Sequence, residues 1–240
     1  MIPKIIHYCW FGGKQKPKLV KQCINSWKRY NPDYILKEWN ESNSPIEKYP
    51  FAKQAFEKKK WAFVSDVIRL HALLNEGGLY LDTDVECLKS FDPLLENNIF
   101  TGYERDSNKL QTAIFGAEVN NPIIEKWLKV YSTISFSDER MTMSLLVNNR
   151  LQTDSLLEMG IDMNGSYMET KMIRIYPSEY FCPMSYIDHS IKKTANTYCI
   201  HYYSFSWSEP ENFKGRLRNF LIMIFGEKLF RKTINYIRRV

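Results

Sequence analysis

The stretch FVSDVIRLHALLNEGGLYLDTDVE, residues 63–86, carries a helix, a break, a strand and a pair of acids in 24 positions. Phe63, Val67, Leu70 and Leu74 are spaced by four, three and four, the period of one helical face. Together with the residues before them they predict a helix over 51–76. Gly77 fits the position that ends such a helix, because glycine adopts positive φ without steric cost. The apolar run Leu79–Leu81 then reads as a buried strand running straight into Asp82 and Asp84. Residues two apart in an extended backbone share a face. Tyr80, Asp82 and Asp84 are therefore expected on one side, with Leu79, Leu81 and Thr83 on the other.

Working outward, the same alternation recurs. KIIHYCW (4–10) is a short apolar run suited to a buried parallel strand, followed by the Gly12-Gly13 loop. Leu19, Cys23 and Trp27 repeat every four residues between Pro17 and Tyr30 and predict a helix that Asn31-Pro32 stops. A second strand is expected at 34–39, and others at 99–103, 111–117, 173–176 and 198–203. Helices are expected at 122–133 and 140–150. Strands alternating with helices predict an α/β fold, a mixed, mostly parallel sheet covered on both faces. Residues 1–212 read as one domain and 213–240 as an appended amphipathic helical tail.

Composition narrows the function. The chain has 240 residues, 44% of them hydrophobic and 25% charged, which suits one well-formed core. Five cysteines, an odd number with no CxxC spacing, argue against a disulfide framework or zinc cluster and for a reducing compartment. The N-terminus MIPKIIHYCW reads as a first strand rather than a signal peptide, and no stretch reaches the roughly 20 apolar residues of a membrane span. The expected location is cytoplasmic. Net charge is +6, yet residues 213–240 hold eight Lys/Arg against the single acid Glu227, so the tail carries the basic character and the body is nearly neutral. Leu217, Leu221 and Ile224 form one apolar stripe of that tail, and Phe230, Ile234 and Ile237 another. Basic residues flank both. Such a segment suits an anionic membrane surface, at the inner face of the plasma membrane, or else packs on the body or a second subunit. A near-neutral body without a nucleic-acid motif argues against nucleic acid as a partner.

Four short pieces bear on chemistry. Asp82 and Asp84, at the carboxyl end of a strand where α/β sheets bind ligands, make a seat for a hard cation such as Mn²⁺ or Mg²⁺. A turn closing the strand is the plain alternative. Asp66 and Arg69 lie three apart on one helical face among apolar neighbours, suited to sugar hydroxyls and phosphate respectively, or to a simple ion pair. Trp10 beside Gly12-Gly13 can stack on a base or fill the core. In IHYYSFSW (200–207), His201 is a candidate third metal ligand, and Ser206 and Trp207 can close over phosphates. His7, His71 and His189 have no partner pattern and are expected to be structural. Gln111, Glu118 and Asp138 are polar positions without a role that stands out.

In order and spacing, IPKIIHYCWFGG, FVSDVIRLHALLNEGGLYLDTDVE and TYCIHYYSFSW resemble the DXD-containing glycosyltransferases of family 32. These include bacterial capsular polysaccharide transferases and yeast initiating mannosyltransferases, with clostridial toxin glucosyltransferase domains as distant relatives. The resemblance spans most of 1–207. It implies a GT-A fold and metal-dependent, retaining transfer of a hexose from a nucleotide-sugar, a UDP-sugar or GDP-mannose, to a glycan acceptor, free or lipid-linked, as in capsular polysaccharide synthesis. By resemblance, Trp10 stacks on the base, Asp66 and Arg69 hold donor sugar and diphosphate, and Tyr80 lies beside the nucleotide. Asp82 and Asp84 form the DXD pair, Asp84 being the more direct metal ligand; His201 completes the ligands and Trp207 contacts phosphate. Many relatives read IHHY where this chain has Ile200-His201-Tyr202-Tyr203. Competing expectations are a metal-dependent phosphoester hydrolase, which also uses paired aspartates, and a non-catalytic sugar- or nucleotide-binding protein.

Overall fold

A computed structural model describes residues 1–136 and 147–204. In chain order the elements are β1 (Ile5–Cys9), α1 (Lys18–Tyr30), β2 (Ile35–Trp39), α2 (Pro50–Glu57), α3 (Trp61–Glu76), β3 (Gly78–Leu81), β4 (Val85–Cys87), β5 (Ile99–Gly102), β6 (Ile114–Ala117), α4 (Pro122–Thr133), α5 (Val147–Glu158), β7 (Met168–Glu169), β8 (Arg174–Tyr176), α6 (Ser178–Phe181) and β9 (Cys199–His201). Seven strands form one sheet in the order β2-β1-β3-β6-β5-β8-β7, and β4 pairs with β9 in a separate ribbon. The pairs β1–β2, β1–β3 and β5–β8 are parallel; β3–β6, β5–β6 and β7–β8 are antiparallel. Five of the seven strands thus point the same way. The pairings nonetheless divide evenly, because the reversed β6 sits between β3 and β5.

Both faces of the sheet are covered. Leu79 and Leu81 pack with Ile6, Phe100 and Ile114 into a core completed by Cys23 and Trp27 of α1 and Phe181 of α6. Their neighbour Tyr80 points the opposite way, into a core shared with Phe115, Val67 and Leu70 of α3, Trp127 of α4 and Leu156 of α5. Alternation along each strand is what divides one apolar sequence between two cores.

The expected helix over 51–76 is two helices. Its break falls in Lys58-Lys59-Lys60, a run that offers the core no apolar side chain, with Lys59 turning at φ 56°. The helix restarts at Trp61, whose ring packs edge-on against Phe56 at 5.3 Å. At the other end of α3 the glycine pair is required. Gly77 and Gly78 have φ of 63° and 100°, and a Cβ on Gly78 would lie 2.6 Å from the Ile5 carbonyl oxygen. His7 clamps this turn. Trp39 Nε1 donates to His7 Nδ1 at 3.1 Å, which leaves Nε2–H to donate to the Gly77 carbonyl at 2.8 Å. Burial lowers the His7 pKa and favours that neutral form. His7 is structural, as expected. The five cysteines are buried free thiols. The expected helix at 140–150 falls partly on 137–146, which with Asp138, Ser206, Trp207 and the tail 213–240 lies outside the described residues.

Candidate active site

Because β1, β3 and β5 run parallel, their carboxyl ends meet at one edge of the sheet. There they deliver Trp10, Asp82 and Glu104 to a cavity of about 830 Å³. Asp82 N donates to the Ala113 carbonyl at 2.8 Å, so the first acid is still tied to the residue just before β6. The strand itself stops at Leu81. Asp82 to Val85 is a turn, with Val85 N donating to the Asp82 carbonyl at 3.0 Å. The extended alternation expected through Asp84 therefore holds only as far as Tyr80 and Asp82, whose hydroxyl and carboxylate meet at 2.9 Å. Asp84 reaches the same place by the turn and by β4.

Arg69 organises the first acid. The residue is 4% exposed. It donates to the carbonyls of Ser65 at 3.2 Å and Thr112 at 2.7 Å, and pairs with Asp66 at 3.1 Å and Asp82 at 3.2 Å. It also lies over the Tyr80 ring at 4.5 Å. Asn148 Nδ2 donates to Asp66 at 2.8 Å. Burial drives the Asp66 pKa up to about 6, with the Arg69 charge opposing. Asp82 is likewise raised by burial against the pull of Arg69. This is a buried network in which one cation holds two carboxylates that would otherwise repel.

The second acid is held from the carboxyl-terminal side. In the β4–β9 ribbon Val85 lies opposite His201. His201 Nε2 sits 3.3 Å from Asp84 Oδ1, while Ser204 donates its backbone N–H and hydroxyl to Asp84 Oδ2 at 2.7 and 2.9 Å. Burial would raise the Asp84 pKa, but the charge and hydrogen bond of His201 and the Ser204 donors outweigh it and hold the group below the carboxylate range. Burial pushes His201 down, and Asp84 overrides that and raises it well above the usual imidazole value. One ligand atom from each of Asp82, Asp84 and His201 lies within 4.8 Å of the other two. Two carboxylates and an imidazole, one carboxylate already anchored by Ser204, fit a hard or borderline divalent cation.

The third wall is aromatic. Trp10 is half-buried, its indole N–H donating to the Lys14 carbonyl at 2.7 Å, so it fills no core and keeps a face toward the cavity. Gly12 and Gly13 turn beside it at φ 88° and 62°. A Cβ on Gly12 would lie 2.6 Å from Trp61 Nε1, so the glycine makes room for a second cavity-lining indole.

The structure thus brings Trp10, Asp66, Arg69, Tyr80, Asp82, Asp84 and His201 together around one cavity. It adds residues the sequence did not single out. Trp61 opens α3; Asn148 and Asn149 come from α5; Glu104 follows β5; Ser204 follows β9. No local pattern marks these positions, since each becomes a site residue only through the fold. Gln111 is buried, with its side chain bonded to the Ile114 backbone, and serves as a loop brace. Glu118 pairs with the N-terminal ammonium at 3.6 Å.

Residues 17–101 match the family described as "Glycosyltransferase sugar-binding region containing DXD motif". Inositol phosphoceramide mannosyltransferase 3 of Schizosaccharomyces pombe is 34% identical over 101 residues, 39% of this chain and 27% of that protein. Mannosyl phosphorylinositol ceramide synthase SUR1 of Saccharomyces cerevisiae is 30% identical over 144 residues, 54% of this chain and 34% of that protein. The chain spans about a quarter to a third of the length of the curated relatives it matches. Among solved structures, the PaToxG glycosyltransferase superposes with a TM-score of 0.53 at 21% identity, covering 66% of this chain and 70% of that one. That likeness is one of fold. Residues 17–101 are thus similar to a DXD-type glycosyltransferase region, and the mixed-sheet architecture is of the GT-A kind.

Proposed function

We propose that this DXD glycosyltransferase region transfers a hexose from a nucleoside-diphosphate sugar to a glycan acceptor. The observation that carries the reading is the convergence of Asp82, Asp84 and His201 within 4.8 Å, beside the Arg69–Asp66 pair. Asp82, Asp84 and His201 would hold Mn²⁺ or Mg²⁺, which when bound offsets the charge of the donor diphosphate. Trp10 supplies a stacking face for the base, worth about 1–3 kcal/mol. Asp66, held by Arg69 and Asn148, faces the cavity as a carboxylate for donor-sugar hydroxyls. Arg69 spends most of its donors on the protein, so its part is to keep Asp66 and Asp82 side by side and ionised.

For the donor, UDP-hexoses and GDP-mannose are the two candidates, and the mannosyltransferase names of the relatives support mannose. Retention of anomeric configuration, a role in surface polysaccharide synthesis and attachment of the basic tail to the inner face of a membrane belong to the same proposal. Incubation with UDP- and GDP-sugars plus Mn²⁺, read by released nucleotide and transferred sugar, tests it. Nucleotide release that depends on metal and on Asp84 supports the reading; no turnover of any donor, or hydrolysis of simple phosphoesters instead, overturns it.

A further inference from the structure

The sheet edge orders the cavity from side to side. β1 lies on one side of β3, and β6 then β5 on the other. Neighbouring strands are about 4.8 Å apart, so Trp10 stands one strand from Asp82 while Glu104 stands two strands away on the opposite side, about 10 Å. The indole end suits a base. The Glu104 end is chemically different.

Glu104 accepts from Ser107 Oγ at 2.9 Å through Oε2 and from Asn149 Nδ2 through Oε1. Each carboxylate oxygen retains a second lone pair for a ligand. Asn149 is fixed in turn by the Thr112 hydroxyl at 2.9 Å. Tyr186 lines the same end, and its ring meets Tyr203 edge-on at 6.1 Å. The two loops that bring these groups together are tied. Arg105 donates to the Pro183 carbonyl at 2.7 Å and the Ser190 hydroxyl at 3.1 Å, and Tyr186 N donates to Asp106 at 2.9 Å. A fixed carboxylate, a fixed amide and an aromatic face together match a ring that carries vicinal hydroxyls on its edge and C–H bonds on its face. Each hydroxyl both donates and accepts, which a carboxylate–amide pair answers, and the apolar face packs on tyrosine. Nothing in the donor-binding reading uses these groups.

We infer that Glu104, Asn149 and Tyr186 form an acceptor-sugar subsite, in which Glu104 and Asn149 hold adjacent ring hydroxyls and Tyr186 packs on the ring. The inference rests on the transferase reading and names the class of its second substrate, a glycan presenting a pyranose or cyclitol ring. The three residues sit on two different loops and a helix, so the subsite exists only in the folded cavity.

The test is saturation-transfer NMR on the full chain with UDP and Mn²⁺ present, using methyl α-mannoside, methyl α-glucoside, methyl β-galactoside and myo-inositol as probes. Wild type is expected to show transfer to at least one probe. Glu104→Gln, which keeps the shape of the side chain, and Tyr186→Leu, which removes the aromatic face, are each expected to cut that signal fivefold or more. Thermal shift by UDP and Mn²⁺ in the same samples reports the donor site separately and is expected to persist in both variants. A wild type that takes up nucleotide but none of the four probes overturns the subsite, as do variants that bind the probes as wild type does. Probe binding that needs Glu104 and Tyr186 without any nucleotide shift keeps the subsite and overturns the donor reading instead.

Discussion

Replacing Arg69 with methionine separates the contribution of one cation to a buried acidic site. Wild-type Arg69 is 4% exposed and faces Asp66 at 3.1 Å and Asp82 at 3.2 Å. Methionine matches its stem and removes the charge, leaving two carboxylates without their cation and the carbonyls of Ser65 and Thr112 without the guanidinium donor. Removing one partner of a buried charge pair costs about 3–5 kcal/mol. For a chain of this size each kcal/mol lowers Tm by about 2–4 °C, so a fall of roughly 6–20 °C is expected. The sign of the pH dependence follows from Asp66. Its folded pKa is about 6 against an ordinary 3.8. The folded state therefore binds the proton more tightly, and the cost of ionising Asp66 is absent below pH 4 and fully present above pH 6. That gap of about two pH units is worth roughly 3 kcal/mol in the metal-free wild type. Without Arg69 the folded pKa rises further, so the damage from Arg69→Met grows with pH. Urea denaturation of metal-free protein at pH 5 and 7.5 measures it, and the difference between variant and wild type is expected to shrink by at least about 1 kcal/mol at the lower pH. Asp66→Asn in the same background is expected to recover part of the loss. A loss under 1 kcal/mol, or one that does not change with pH, refutes the view that Arg69 holds the two acids together.

Three further outcomes are expected. Gly78→Ala places a Cβ 2.6 Å from the Ile5 oxygen at φ 100°, and chemical denaturation is expected to show a loss of about 2 kcal/mol or more; a neutral substitution contradicts the need for glycine between α3 and β3. Trp10→Ala removes the stacking face and is expected to weaken UDP binding about fivefold to a hundredfold by calorimetry, without a change in fold by circular dichroism; unchanged affinity places the base elsewhere. Deleting 213–240 removes a net charge of +7 and is expected to abolish flotation with anionic-lipid vesicles at low salt; equal flotation with and without the segment denies it a membrane role.

Much of this architecture was readable from local pattern. The strand–glycine–helix succession of 4–30 and the helix, glycine pair and strand of 61–81 follow from period and turn chemistry alone, and the Asp66–Arg69 spacing already placed those side chains on one face. The break at Lys58–Lys60 escaped the pattern because apolar residues on both sides keep a helical period through it. The short β4 escaped because three residues carry no period; its pairing with β9 is a contact between Val85 and His201, more than 100 residues apart. Distance in sequence likewise hides Ser204 as the anchor of Asp84 and Asn148, 82 residues away, as the partner of Asp66. Acids with a fixed spacing are visible in a sequence, whereas the donors that orient them come from wherever the fold brings a backbone past.

The most direct measurement is Mn²⁺ binding by calorimetry, with saturating UDP, for wild type, Asp84→Asn and His201→Ala. The geometry of Asp82, Asp84 and His201 within 4.8 Å predicts one high-affinity ion in wild type and a loss of about tenfold or more in each variant. Wild-type affinity retained in both variants contradicts the assignment of these residues as the cation seat.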